Sequence, residues 1–163
     1  MEYISAEEFL KQPKEVQEVF LNWWNFEIDS PIYVSKEAGL DKEGFDLLKV
    51  YGWDYKEGKM LPMELMTYKT NLIIPLTKKS SLYETFIENA KYVTPLFTEG
   101  QLRKFIEDKT AMGTVNVDYF EGYRIKINSS INQSKYYKDL GNDLLKAYWK
   151  VAVQIAKEEL KHD

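Results

Sequence analysis

A chain of 163 residues that is 44% apolar and 15% aromatic holds enough side-chain volume for one packed domain and too much for a disordered segment. Its net charge of −4 argues against a protein that binds phosphate backbones non-specifically, so nucleic acid is not the expected partner. No cysteine is present, which excludes disulfides, iron–sulfur clusters, thiolate catalysis and Cys-based zinc sites.

The single histidine, His162, is the penultimate residue and cannot by itself build a multi-histidine metal site or a catalytic triad. No metal and no cofactor is therefore expected. The apolar runs are three or four residues long, far from the roughly 20 that span a bilayer. Met1-Glu2-Tyr3 lacks the basic start of a signal peptide. The expectation is a cytoplasmic protein with no membrane partner.

In chain order, Ser5 and Glu8 form a capping box that predicts a first helix with Phe9 and Leu10 facing inward. Pro13 predicts the first turn of a second helix, where a missing N–H costs nothing. Val16, Val19, Phe20 and Trp23 then recur at helical spacing. Trp23-Trp24 ends that stripe, either as core and rim aromatics or as a stacking platform for a ring-shaped ligand. Residues 31–34 and 46–51 read as short strands. Gly39, Gly44, Gly52 and Gly58 read as turns, and residues 53–59 as a polar hairpin tip or surface loop.

Leu72-Ile73-Ile74-Pro75-Leu76 reads as an edge strand or one that ends at Pro75, because proline cannot donate to a ladder. Ser81 with Glu84 and Thr98 with Gln101 are two further capping boxes. The second introduces Leu102, Phe105 and Ile106 on one face of a helix reaching about Lys109.

Val115, Val117 and Tyr119 alternate, as do Tyr123, Ile125 and Ile127. A two-residue turn at Glu121-Gly122 would set apolar residues opposite charges. A three-residue loop, Phe120-Glu121-Gly122, instead pairs Tyr119 with Tyr123, Val117 with Ile125 and Val115 with Ile127. It also opposes Asp118 to Arg124 and Asn116 to Lys126, and places Gly122 at a left-handed position. Residues 128–138 read as a polar loop. The longest helix is expected over residues 139–161, with Leu144, Tyr148, Val151 and Ile155 as its main stripe. The fold class is thus α+β: a small antiparallel sheet packed by several helices, with a long C-terminal helix.

Three segments carry a resemblance: 4–16 (ISAEEFLKQPKEV), 98–109 (TEGQLRKFIEDK) and 140–152 (LGNDLLKAYWKVA). Together they are similar to small uncharacterised proteins of phages and prophages of clostridia and related bacteria. With the residues that continue each helix, the likeness covers about a third of the chain. It implies a phage origin and a compact protein of the host cytoplasm, and it brings no catalytic motif. The chain reads as a single domain, 1–163, with residues 26–93 as a variable insertion. Phage accessory proteins of this size often counter host immunity, which gives the resemblance a functional expectation.

Three functions compete. An enzyme would need a motif, and neither a phosphate-binding loop, a nucleophile elbow nor a zincin helix is present. A binder of a nucleotide-type signal needs aromatic faces for bases and cations for phosphates. Twenty-two basic residues include only two arginines, Arg103 and Arg124, in neighbouring elements. Arg103, Lys104, Arg124 and Lys126, with Trp23 and Trp24, are the candidate ligand-binding residues. The plain alternative is that Arg103 is solvated and Arg124 pairs with Asp118. The third function is a protein–protein inhibitor of a host defence enzyme, docking through exposed aromatics. The expected partner is a small nucleotide-type ligand or a host protein, and a homo-oligomer is left open.

Overall fold

The computed structural model describes residues 2–24, 31–34, 48–56, 59–67, 73–75, 93–129 and 133–161. The expected helix at Ser81 and Glu84, and the turns at Gly39, Gly44 and Gly58, lie outside them. The chain divides into two compact units, one made of Met1–Trp23 with Phe97–Asp163, the other of Trp24–Leu96. The fold class is α+β, and no described helix is long and apolar enough to cross a membrane.

In the first unit, helix α1 (Ala6–Leu10) begins after Ser5, whose Oγ accepts from the Glu8 N–H at 3.2 Å. Helix α2 (Lys14–Trp24) begins one residue after Pro13, whose carbonyl accepts from the Gln17 N–H at 3.0 Å. The proline therefore sits just outside the helix rather than in its first turn, again where no N–H is needed. Helix α3 (Glu99–Lys109) carries a complete capping box. The Gln101 N–H donates to Thr98 Oγ1, and the Thr98 N–H donates to Gln101 Oε1.

Helix α4 (Leu144–Glu159) starts at an Asp143 cap, five residues later than residue 139. Asp139 (φ 55°) and Gly141 (φ 90°) turn the backbone left-handed, and this holds the preceding segment out of the helix. Helix α4 packs against α3 and against the sheet that follows.

That sheet is antiparallel, in the order β6 (Thr114–Tyr119), β7 (Tyr123–Asn128), β8 (Lys135–Tyr137). The β6–β7 register is the expected one at all five pairs from Val115 opposite Ile127 to Tyr119 opposite Tyr123. Left-handed backbone falls on Glu121 (φ 54°) as well as Gly122, whose φ of 138° suits glycine alone. The hairpin end is strapped to the segment before α4. The Tyr123 N–H donates to the Gly141 carbonyl at 2.7 Å, and the Leu140 N–H to the Tyr123 carbonyl at 3.2 Å.

Strand β8 corrects the reading of residues 128–138 as a loop. Its three residues pair with β7, Ile125 with Tyr137 and Lys126 with Tyr136. Three polar or amphipathic residues carry no apolar alternation, so a partner strand rather than local pattern makes this strand.

The inner face of the sheet, with Val115, Ile125 and Ile127 buried, covers one side of the core. The other side is aromatic. Phe20, fully buried, stacks on Phe105 with centroids 4.4 Å apart and planes 22° apart. It also meets Trp149 at 5.1 Å, Phe97 at 5.4 Å and Phe9 at 6.2 Å. The N-terminal segment joins this cluster through an Ile4 N–H to Phe97 carbonyl bond of 2.9 Å.

Among the described residues, the second unit forms a five-stranded antiparallel sheet. Its strands are β1 (Pro31–Val34), β2 (Leu48–Lys56), β3 (Lys59–Thr67), β4 (Ile73–Pro75) and β5 (Val93–Pro95), in the order β4-β3-β2-β1-β5. β1 falls on the expected residues, and β4 is the edge strand that Pro75 demands. Two expectations fail here. Gly52 is inside β2, at a register shift, rather than at a turn. Residues 53–56 extend β2 and Lys59 opens β3, so the surface-loop reading of 53–59 fails, while the hairpin reading fits a segment at the end of the antiparallel β2–β3 pair. β3 itself was not expected. Pro62 disguises it, yet among the described residues β4 pairs with Glu64, Leu65 and Met66 and not with the proline.

Phe20→Ala should lower unfolding free energy by about 3–5 kcal/mol, read from urea melts. Tyr137 offers the opposite sign. Its Oη is buried with no hydrogen-bond partner among the described residues. Burial, then the nearby Glu158 charge, pushes its phenol up to about 12 from the usual 10.0. Because the folded value is raised, its contribution is complete below pH 10 and is lost as pH rises toward 12. Tyr137→Phe should raise stability at neutral pH, by up to about 1–3 kcal/mol, and flatten that alkaline loss in melts run across the window.

Candidate ligand-binding site

Strand alternation sends Asn116 and Asp118 of β6, Arg124 and Lys126 of β7, and Tyr136 of β8 to the face opposite the core. Arg124 Nε donates to Asp118 Oδ1 at 2.5 Å, and its guanidinium lies 5.4 Å from the Phe120 ring centroid. The Lys138 ammonium stands 4.9 Å from the Tyr136 ring centroid. Lys126 is exposed, beside Tyr136 in the ladder, and has no ion-pair partner among the described residues. A groove of about 490 Å³ is lined by Asn116, Val117, Asp118, Lys126, Ser134 and Tyr136.

On an acidic protein this face is cationic: Arg124, Lys126 and Lys138 meet one strand carboxylate, Asp118. Asp118 occupies only Arg124 Nε, and a guanidinium has further N–H donors for an anion. The rings remain accessible, with Phe120 65% and Tyr136 46% exposed. Such a surface can hold phosphate oxygens on its cations and stack flat rings on its aromatics.

The six residues expected from sequence are not gathered in one place. Arg124 and Lys126 share the outer sheet face. Arg103 is on α3, half exposed, with Nε 3.0 Å from Glu107 Oε1 and with Tyr148 and Glu99 nearby. Lys104 follows it, also exposed. Trp23 donates through Nε1 to Asp108 Oδ2 at 2.9 Å and sets its ring edge-on to Phe105. Trp24 is buried. The neighbours named for Arg103 and Arg124 have no residue in common. Phe120, Tyr136, Lys138, Asn116 and Ser134 join the face without having been singled out as ligand-binding residues. The run Lys135-Tyr136-Tyr137-Lys138 was the signal for two of these five, Tyr136 and Lys138.

A larger cavity, about 710 Å³, lies at the ends of α3 and α4 and includes Lys109, Lys135, Glu158 and Glu159. Its cations are committed. Lys109 Nζ is 2.7 Å from Glu159 Oε1, and Lys135 pairs with Glu158. Glu158 therefore holds β8 to α4. Comparison of the chain with protein-family models, with curated proteins and with solved structures gives no match.

Partial burial works against ionising Glu158, but hydrogen bonds from Lys135 and Gln154 outweigh it and the carboxyl falls below its ordinary 4.5. A lowered folded value means stability that is present above pH 4.5 and lost as pH falls through the folded value. The pair is partly exposed to solvent, so Glu158→Gln should cost about 1 kcal/mol or less at pH 7. The gap between the two proteins' melting temperatures should close as pH drops below 4.5.

Proposed function

We propose that this chain is a non-catalytic binding protein, of phage origin, that counters host immunity by sequestering a nucleotide-type signal molecule in the host cytoplasm. The observation that carries the reading is the exposed sheet face, where Lys126, without an ion-pair partner among the described residues, stands opposite Tyr136 in the ladder, Lys138 lies over the Tyr136 ring and Arg124 over the Phe120 ring. Cations next to accessible rings match the two halves of a nucleotide, phosphate and base. Sequestration needs affinity alone, so the absence of a recognisable catalytic motif in the sequence sits comfortably with it. The likeness of segments 4–16, 98–109 and 140–152 to phage proteins supplies the biological setting.

A second reading, inhibition of a host defence enzyme by direct docking, is favoured by one feature. Tyr119 and Phe120 stand 59% and 65% exposed at the hairpin end, beside Arg124, and these residue types anchor protein interfaces.

The two readings separate in one experiment. Purified protein is incubated with host lysate, repurified and denatured, and the supernatant and the bound proteins are analysed by mass spectrometry. A released nucleotide supports sequestration; a stoichiometric host protein with no nucleotide supports docking and ends the first reading. Lys126→Ala and Arg124→Ala should each weaken retention of the nucleotide by roughly ten- to a hundredfold, the loss of a charge-assisted contact of about 1.5–3 kcal/mol. Melting curves of both variants should stay within about 1 kcal/mol of the parent, because an exposed cross-strand pair contributes no more.

A further inference from the structure

Resting on the nucleotide reading, we infer that the ligand of the outer sheet face is a dinucleotide, two bases joined through phosphate, rather than a mononucleotide. The face repeats one arrangement. Phe120 lies against Arg124, and Tyr136 lies against Lys138 and opposite Lys126. A base and its phosphate need one ring and one cation; this surface supplies two rings and three cations. Arg124 and Lys126 are two residues apart on β7, which spaces them by about 6.5–7 Å along the strand. That separation suits successive phosphorus-bearing groups of an extended chain rather than the crowded oxygens of one triphosphate.

The polar surroundings are consistent with this. Asn116 and Ser134 line the same groove as Lys126 and Tyr136, offering amide and hydroxyl groups to a base edge or a sugar. The groove's volume of about 490 Å³ is in the range of small-ligand sites. A duplex is a poor fit, because its bases are already stacked on one another and cannot lie on Phe120 or Tyr136.

The test is calorimetric titration of the full chain with three probes: adenosine monophosphate, 5′-phosphorylated linear diadenylate and cyclic diadenylate. Adenine serves because stacking on aromatic rings tolerates any base. At least one diadenylate should bind about tenfold or more tightly than the monophosphate, and the preferred one reports whether the chain is open or closed. Phe120→Leu and Tyr136→Leu remove a ring while keeping apolar bulk at two exposed positions. Each should bring diadenylate affinity down about ten- to a hundredfold, toward that of the monophosphate.

Equal affinity for monophosphate and both diadenylates would overturn the dinucleotide and leave nucleotide sequestration standing. Loss of diadenylate affinity in only one leucine variant would likewise reduce the site to a single ring. Failure of all three probes, together with no nucleotide released from lysate-exposed protein, would end both readings.

Discussion

The first unit depends on one ring. Phe20, with no exposed surface, is stacked on Phe105 of α3 and flanked by Phe9 of α1, Phe97 and Trp149 of α4. Four helices and the segment preceding α3 thereby share a single apolar contact, and aromatic pairs in offset or tilted geometry contribute beyond their buried area. With α4 anchored there, its other side is left to receive β7. The inner sheet face then has a fixed neighbour, and the outer face is presented to solvent as a consequence. The candidate ligand surface is thus set by a ring on the far side of the core from it.

What was legible in the sequence follows from how local the determining physics is. Capping at Ser5 and Thr98 is a matter of three or four residues, and both caps form. The β6–β7 register is decided by keeping apolar and charged residues on separate faces, and it forms pair for pair. Strands whose own sequence pattern is short or interrupted were not legible. β8 has three residues, and β3 is broken in pattern by Pro62 and by the shifted ladder at Gly52. The start of α4 was misplaced because left-handed backbone at Asp139 and Gly141 interrupts an otherwise helical composition.

The same distinction governs the site. Arg124 and Lys126 could be placed on one face from the hairpin alone. Tyr136 and Lys138 could not be joined to them until β8 was seen to pair with β7. Arg103 drew notice by its rarity in a lysine-rich chain, yet its guanidinium is held by Glu107 one helical turn away. Rarity is a property of composition, whereas a binding surface is made by topology.

Trp23, the last residue of the first unit before the chain leaves it, and Phe97, the first after its return, have ring centroids 6.3 Å apart. The polypeptide thus departs and rejoins at neighbouring points of one aromatic cluster. For such a closure, the entropic cost of the intervening chain rises by only about 0.6 kcal/mol with each doubling of its length. A change in the length of the segment between these two residues therefore adds little closure cost to the unit they bound.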